Sequence, residues 1–277
     1  MKVGFIGTGN MGRILIESFI ESEAIKPSFI NMTNRTLEKA EAIKQLYPEV
    51  NLLESAEEVV THSDLIFICV KPLDIYPLIN NLKQLLEPSK CLISITSPIN
   101  VHQIESLVRC QVARAIPSIT NRAFSGVSLV TFGESCHQST RNAIETMFEK
   151  ISTPVQIEEN VTRVASDIVS CGPAFFSYLI QRFIDSAVEE TDITKEQAVL
   201  LASEMLVGMG NLIETELYTL PTLQEKVCVK GGVTGKGINV LENEVGEMFN
   251  KVFQVTHEKY YEDIDEVSEQ FNSVTNK

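Results

Sequence analysis

The sequence predicts a chain in two parts: a doubly wound α/β layer with a parallel sheet in the first half, and an all-helical second half. Two observations carry this. Short, almost wholly apolar runs alternate with amphipathic stretches up to about residue 150, and from Val161 onward the hydrophobic period is helical throughout. The apolar runs are Val3–Ile6, Phe29–Met32, Leu65–Val70, Leu92–Ile95 and Val112–Ile116. Continuous rather than alternating apolarity belongs to strands buried on both faces, which is what crossover helices do to a parallel sheet. Helices are expected between them at Ile14–Glu23, Thr36–Tyr47 and Leu78–Leu86, with a further strand at Val127–Phe132 and a helix near Thr140–Lys150. The second half reads as helices over Val161–Val169, Ala174–Glu190, Lys195–Glu216 and Leu241–Tyr261, with glycines gathered between Gly231 and Gly237. The change of period divides the chain into expected domains 1–160 and 161–277. The long apolar helices of the second are more than one small domain can cover, so a homodimer through that domain is expected.

Composition narrows the class. At 44% hydrophobic and 22% charged, 277 residues can bury a substantial core. A net charge of −14 repels phosphate backbones, and Lys and Arg form no cluster, so neither nucleic acid nor an anionic membrane is an expected partner. The acidic run Glu262, Asp263, Asp265, Glu266 and Glu269 reads as the solvated face of a last helix. Six cysteines (Cys69, Cys91, Cys110, Cys136, Cys171, Cys228) lie far apart with no paired spacing, which argues against zinc and against a disulfide framework. The first apolar stretch is cut short by Gly7 and Gly9, too soon for a signal sequence or a membrane span. A cytoplasmic protein with reduced thiols is expected.

The chemistry starts at Gly7-Thr8-Gly9-Asn10-Met11-Gly12, a G-x-G-x-x-G directly after the first strand and before a helix. In that setting Gly7 makes the tight turn, Gly9 lets the backbone approach a diphosphate, and Gly12 lets the helix pack against the strand. The helix beginning near Asn10 then points unpaired N–H groups and its positive end at the phosphates. This is the fingerprint of a Rossmann dinucleotide site. About 20 residues further, where an NAD site places a carboxylate for the ribose 2′-hydroxyl, the chain has Asn34-Arg35-Thr36. A guanidinium cannot accept a hydrogen bond but pairs with a 2′-phosphate, flanked by two neutral donors, so NADP(H) is expected over NAD(H). Val70, Lys71 and Pro72 close another strand at the same sheet edge and join the expected cofactor site. Arg114 and Pro117 end a later one. None of the four histidines (His62, His102, His137, His257) sits in a nucleophile pattern.

Taken together, these segments resemble the pyrroline-5-carboxylate reductases. The matching pieces are the glycine loop, Asn34-Arg35-Thr36, Val70-Lys71-Pro72, Arg114-Ala115-Ile116-Pro117, Gly172-Pro173-Ala174 and Gly231-Gly232-Val233-Thr234 followed by Leu241-Glu242, and they span nearly the whole chain. The resemblance implies NAD(P)H-dependent reduction of a cyclic imine to proline. It implies that Gly231, Gly232 and Val233 open a helix whose N–H groups hold a substrate carboxylate, and that Thr234 takes the role beside the ring nitrogen. Cys171 and Ser118 fall at the other substrate-binding positions. A glycine-led helix start suits a carboxylate on physical grounds as well.

The chain departs from the family pattern where the substrate binds. It has Val169-Ser170-Cys171-Gly172-Pro173-Ala174-Phe175 for Ser-Gly-Ser-Gly-Pro-Ala-Tyr, Val229-Lys230-Gly231-Gly232-Val233-Thr234 for Ser-Pro-Gly-Gly-Thr-Thr, and Ser118 where Asn is common. Retained cofactor motif with altered substrate loops is similar to a divergent branch of that family encoded beside late-competence genes in bacilli. Two functions are therefore carried forward: an imine reductase, and a dinucleotide-binding regulatory protein without turnover. A hydroxyacid dehydrogenase would need a proton-transferring lysine at the start of the helical half, and there is no lysine between Lys150 and Lys195.

Overall fold

The computed structural model describes residues 1–272; residues 273–277, the end of the expected second domain, lie outside them. The first half runs β1 (Val3–Ile6), α1 (Asn10–Glu21), β2 (Ile30–Thr33), α2 (Leu37–Leu46), β3 (Asn51–Leu52), α3 (Ala56–Thr61) and β4 (Leu65–Ile68). It continues with α4 (Pro72–Leu82), β5 (Cys91–Ser94), α5 (Val101–Glu105), β6 (Gln111–Ile116), β7 (Val127–Phe132), α6 (Gln138–Phe148) and β8 (Thr153–Gln156). After these come α7 (Thr162–Ser166), a π turn (Asp167–Cys171), α8 (Gly172–Glu190), α9 (Lys195–Glu214), α10 (Leu220–Val227), α11 (Val233–Val245) and α12 (Met248–Asn272).

The strands form one eight-stranded sheet in the order β3-β2-β1-β4-β5-β6-β7-β8. The first six are parallel, as expected of a doubly wound layer. The sheet also carries an edge pair of opposite direction: β7 is antiparallel to β6, and β8 is parallel to β7. The connection explains it. A parallel return needs a crossover of a dozen or more residues, whereas β6 leads into a short 3-10 turn (Ile119–Ala123) that Phe124 ends in the left-handed region at φ 54°.

Both sheet faces are buried, and strand alternation divides the side chains between them. Phe5, Phe67 and Ile93 point to one side, where Phe5 stacks on Phe67 at 4.9 Å and Phe19 meets Phe148 edge-on at 5.3 Å. Ile6, Ile66, Ile68 and Leu92 point to the other and pack with Ile75, Ile79 and Val267.

Val267 belongs to α12, so the compact units divide differently from the hydrophobic period. One unit comprises Met1–Pro173 together with the chain from Val255 onward; the other is Ala174–Gln254. The late part of α12 is bound into the first unit by Val267, by Phe271 edge-on to Tyr76 at 5.1 Å, and by Gln270 donating to the Leu73 carbonyl at 3.3 Å. The stretch Leu241–Tyr261, expected as one helix, is broken at Gly246, where φ 42° and ψ −125° end α11.

The second unit is helical and thinly cored. Thr194 starts α9 with a capping box in which its hydroxyl accepts from the Gln197 N–H. Its buried apolar cluster among the described residues is Ile184, Ala198 and Ala202. Phe183 is 66% exposed, and Leu200 and Leu201 are each 61% exposed. No described helix is long and apolar enough to cross a membrane.

Candidate functional site

The glycine loop sits where the strand order reverses, between β2 and β4 on either side of β1. Gly7 turns at φ +103°, and a Cβ there would stand 2.5 Å from the Cys69 carbonyl oxygen. Its N–H donates to the Thr33 carbonyl at 3.0 Å while Cys69 N–H donates to Ile6 at 2.8 Å, pinning the loop to both neighbouring strands. Gly12 lets α1 come close: a Cβ on it would lie 2.3 Å from the Gly7 carbonyl oxygen. Gly9 is different, because a Cβ there meets nothing within 4 Å. It is the N-cap of α1, with no side-chain cap and no acidic residue in the first turn, so the helix offers its leading N–H groups uncompensated. The Thr8 hydroxyl is buried beside them without a hydrogen-bond partner. An open approach at Gly9, unclaimed N–H donors and an orphaned buried hydroxyl fit a dinucleotide diphosphate. Asn10 is exposed and Met11 half-buried on the same first turn.

From the loop a groove of about 560 Å³ extends past the end of β2 to Val70 and Lys71. Asn34 is engaged on both sides of its amide. Its Oδ1 accepts from Thr8 N–H at 2.9 Å and its Nδ2 donates to the Thr36 carbonyl at 2.8 Å, so the amide staples the glycine loop to the end of β2. Arg35 and Thr36 are exposed on the groove wall. Lys71 is the N-cap of α4, with Pro72 at its first position, where a missing N–H costs nothing. Sequence reasoning missed Lys39, Glu54 and Asp74, which also line the groove; only Asp74, in the first turn after Pro72, had a positional signal. Burial pushes the Cys69 thiol up, leaving it an uncharged part of the wall.

At the carboxyl edge of β6 a polar network joins Arg114, Ser118 and Cys171 to Glu159, Arg163, Asp167 and Thr256, which the sequence did not single out. Arg114 is 1% exposed and grips Glu159 with both terminal nitrogens, at 2.8 and 2.7 Å. The Asp167 carboxylate is fully buried in the π turn; it accepts from Arg163 at 2.8 Å and from the Thr256 hydroxyl at 2.8 Å, with His257 Nδ1 3.9 Å away. A π turn shifts the helical ladder, and here side chains tie it to the loop after β6. Ser118 Oγ donates to the Val169 carbonyl at 2.7 Å, and Ser170 Oγ donates to the Pro117 carbonyl at 2.9 Å. Ser118 is completely buried and also accepts from the Thr120 hydroxyl at 2.9 Å, so its oxygen is occupied within the fold. Cys171 accepts from Arg163 at 3.4 Å; burial raises its thiol and Arg163 partly opposes the shift.

The remaining expected substrate residues stand in the second unit. Gly231 has φ +80°, Gly232 is the N-cap of α11, and its N–H closes the loop onto the Val229 carbonyl at 2.9 Å. Val233 is 89% exposed. Thr234 is half-buried one position further. The structure thus lines one groove with Gly7, Gly9, Asn34, Arg35, Thr36, Val70 and Lys71 of the expected cofactor residues, places Ser118 and Cys171 about the π turn, and gathers Gly231–Thr234 at one helix start.

Known proteins share this architecture. Residues 159–263 match a family model described as pyrroline-5-carboxylate reductase dimerisation, and residues 2–98 match one described as NADP oxidoreductase, coenzyme F420-dependent. The chain is 63% identical over 272 residues to ComE operon protein 4 of Bacillus subtilis (strain 168), covering 98% of this chain and 100% of that one. It is 27% identical over 260 residues to pyrroline-5-carboxylate reductase 3 of the same organism, covering 94% and 95%. Among solved structures, the pyrroline carboxylate reductase of Plasmodium falciparum with NADP bound has a TM-score of 0.81 at 22% identity, covering 98% of each chain. The glycine loop, the reversal of strand order at β1 and these full-length similarities place the chain in the pyrroline-5-carboxylate reductase family, as a homologue of ComE operon protein 4.

Proposed function

We propose that this protein binds NADP(H) in preference to NAD(H) and reduces the cyclic imine 1-pyrroline-5-carboxylate, or a close analogue, to proline or its counterpart. The observation that carries the cofactor half is the groove from Gly9 to Arg35, with no carboxylate at the end of β2. Gly7, Gly9 and the first turn of α1 would hold the diphosphate, and Arg35 the 2′-phosphate. When bound, the reduced nicotinamide supplies the hydride. The protein orients the ring and keeps its nitrogen hydrogen-bonded, a role that family resemblance gives to Thr234, while the α11 N-terminus formed by Gly231, Gly232 and Val233 holds the carboxylate.

A second reading, a dinucleotide-binding regulatory protein without turnover, is favoured by one observation: the Ser118 hydroxyl is already engaged by Val169 and Thr120. Purified protein separates the two. Oxidation of NADPH with the cyclic imine and formation of proline are expected; NADPH binding without oxidation refutes the reductase reading.

The helical unit forms a homodimer in this proposal. Phe183, Leu200 and Leu201 lie exposed in a unit with a three-residue buried cluster, and covering each gains about 1.5–3 kcal/mol. Sedimentation at micromolar concentration is expected to give a dimer, and Leu200→Glu with Leu201→Glu a monomer. A monomeric wild-type protein refutes it.

A further inference from the structure

We infer that α12 carries a cofactor-selectivity element: Asp263 and Glu266 weaken the protein's hold on a 2′-phosphate. The inference deepens the NADP(H) reading and rests on it. Beside the cofactor groove lies a second hollow of about 440 Å³, and Arg35 and Lys71 are walls of both. Asp263 and Glu266 line the same hollow from α12. They stay there because the neighbouring Val267 is buried in the sheet's core, and Gln270 and Phe271 are engaged with Leu73 and Tyr76. The cations that would meet the phosphate therefore share a solvent space with carboxylates supplied by the opposite end of the sequence.

The other charges around the hollow decide which acid matters more. Lys259 pairs with Asp263 at 2.8 Å and with Glu262 at 3.5 Å, partly neutralising Asp263. Asp74 lines both the hollow and the groove from the start of α4. Glu266 is exposed on the α12 face and carries the larger share. One carboxylate facing a phosphate of about two charges across a solvent-filled hollow lowers affinity about two- to threefold at low ionic strength, and salt screens the effect. NADH has no phosphate on that ribose and is indifferent to the pair.

The test is titration of nicotinamide fluorescence with NADPH and with NADH, for wild-type protein and for Asp263→Asn with Glu266→Gln, at about 20 mM and about 500 mM salt. The double variant is expected to bind NADPH about three- to tenfold more tightly at low salt and within about twofold of wild type at high salt, with NADH unchanged throughout. Glu266→Lys alone is expected to exceed Glu266→Gln in the same direction. Equal affinity for NADPH in wild type and variants, or an equal gain for both cofactors, overturns the inference while leaving the NADP(H) reading standing. A wild-type protein that binds neither cofactor overturns both.

Discussion

Gly9→Ala is expected to remove most of the affinity for NADPH while leaving stability nearly intact. The backbone at Gly9, φ −68° and ψ −170°, is open to any residue, and the new methyl meets nothing within 4 Å in the folded protein. Alanine is a poorer N-cap than glycine by about 0.5–1 kcal/mol, and its restriction of the unfolded chain returns about 0.4–1 kcal/mol, so the two nearly cancel. Binding has no such offset. The methyl occupies the groove side of the loop, where a phosphate oxygen must reach the N–H groups of α1, and one charge-assisted hydrogen bond lost is about 1.5–3 kcal/mol, or roughly ten- to 150-fold in Kd. Gly12→Ala is the contrasting case: its Cβ would lie 2.3 Å from the Gly7 carbonyl oxygen, a backbone atom that cannot swing away. That helix must shift, and about 1–3 kcal/mol of stability goes with the binding. Fluorescence or calorimetric titration gives the affinities and urea unfolding the stabilities. A Gly9→Ala protein that binds NADPH like wild type, or that unfolds as easily as Gly12→Ala, refutes this account of the loop.

Arg35→Ala is expected to weaken NADPH about ten- to 150-fold and to leave NADH nearly unchanged, measured by the same titration; equal loss for both would show that Arg35 does not read the 2′-phosphate. Asp167→Ala leaves Arg163 charged and without its 2.8 Å partner in a buried turn, so about 3–5 kcal/mol of stability should be lost in urea unfolding, against about 1 kcal/mol for Thr256→Val. Hydrogen bonds from Arg122 hold the Glu21 carboxyl below its ordinary value of 4.5. A depressed carboxylate contributes stability above its unfolded pKa and loses it as pH falls through the folded one. The pair is partly exposed, so Arg122→Gln should cost no more than about 1 kcal/mol at pH 7, and the difference from wild type should close as the buffer is taken below about pH 4.5.

The sequence made the first unit legible wherever one strand was one apolar run. β1 and β7 fall at the expected residues, and β2, β4, β5 and β6 within a residue or two. The antiparallel edge was not legible, because direction is set by the length and geometry of the link after β6 and not by the apolarity of β7. β3 and α5 were missed because at Asn51–Leu52 and Val101–Glu105 they are too short to show a period. The long pattern Leu241–Tyr261 hid the break at Gly246, and the acidic run beyond it hid Val267, a single buried residue on an otherwise solvated helix. At the site the glycines were readable because each has a distinct backbone task. The stapling role of Asn34 was not: an amide that ties two loops together looks, in sequence, the same as one that faces a ribose.

That contrast bears on why a chain of this family can carry so regular a nucleotide loop beside so altered a substrate loop. In the proposed site a diphosphate would be met by main-chain N–H groups and a helix end, which any residue supplies once three glycines permit the approach. At the expected substrate positions the family pattern adds side-chain hydroxyls. Val229 and Val233 have none to offer, and the Ser118 hydroxyl is used inside the fold to hold the π turn through Val169. Replacing such side chains costs the fold little, since Val229 and Val233 are 70% and 89% exposed, and leaves the groove from Gly9 to Arg35 untouched. On the proposed reading, affinity for the dinucleotide and turnover of an imine are therefore separable, and NADPH titration and NADPH oxidation measure them independently.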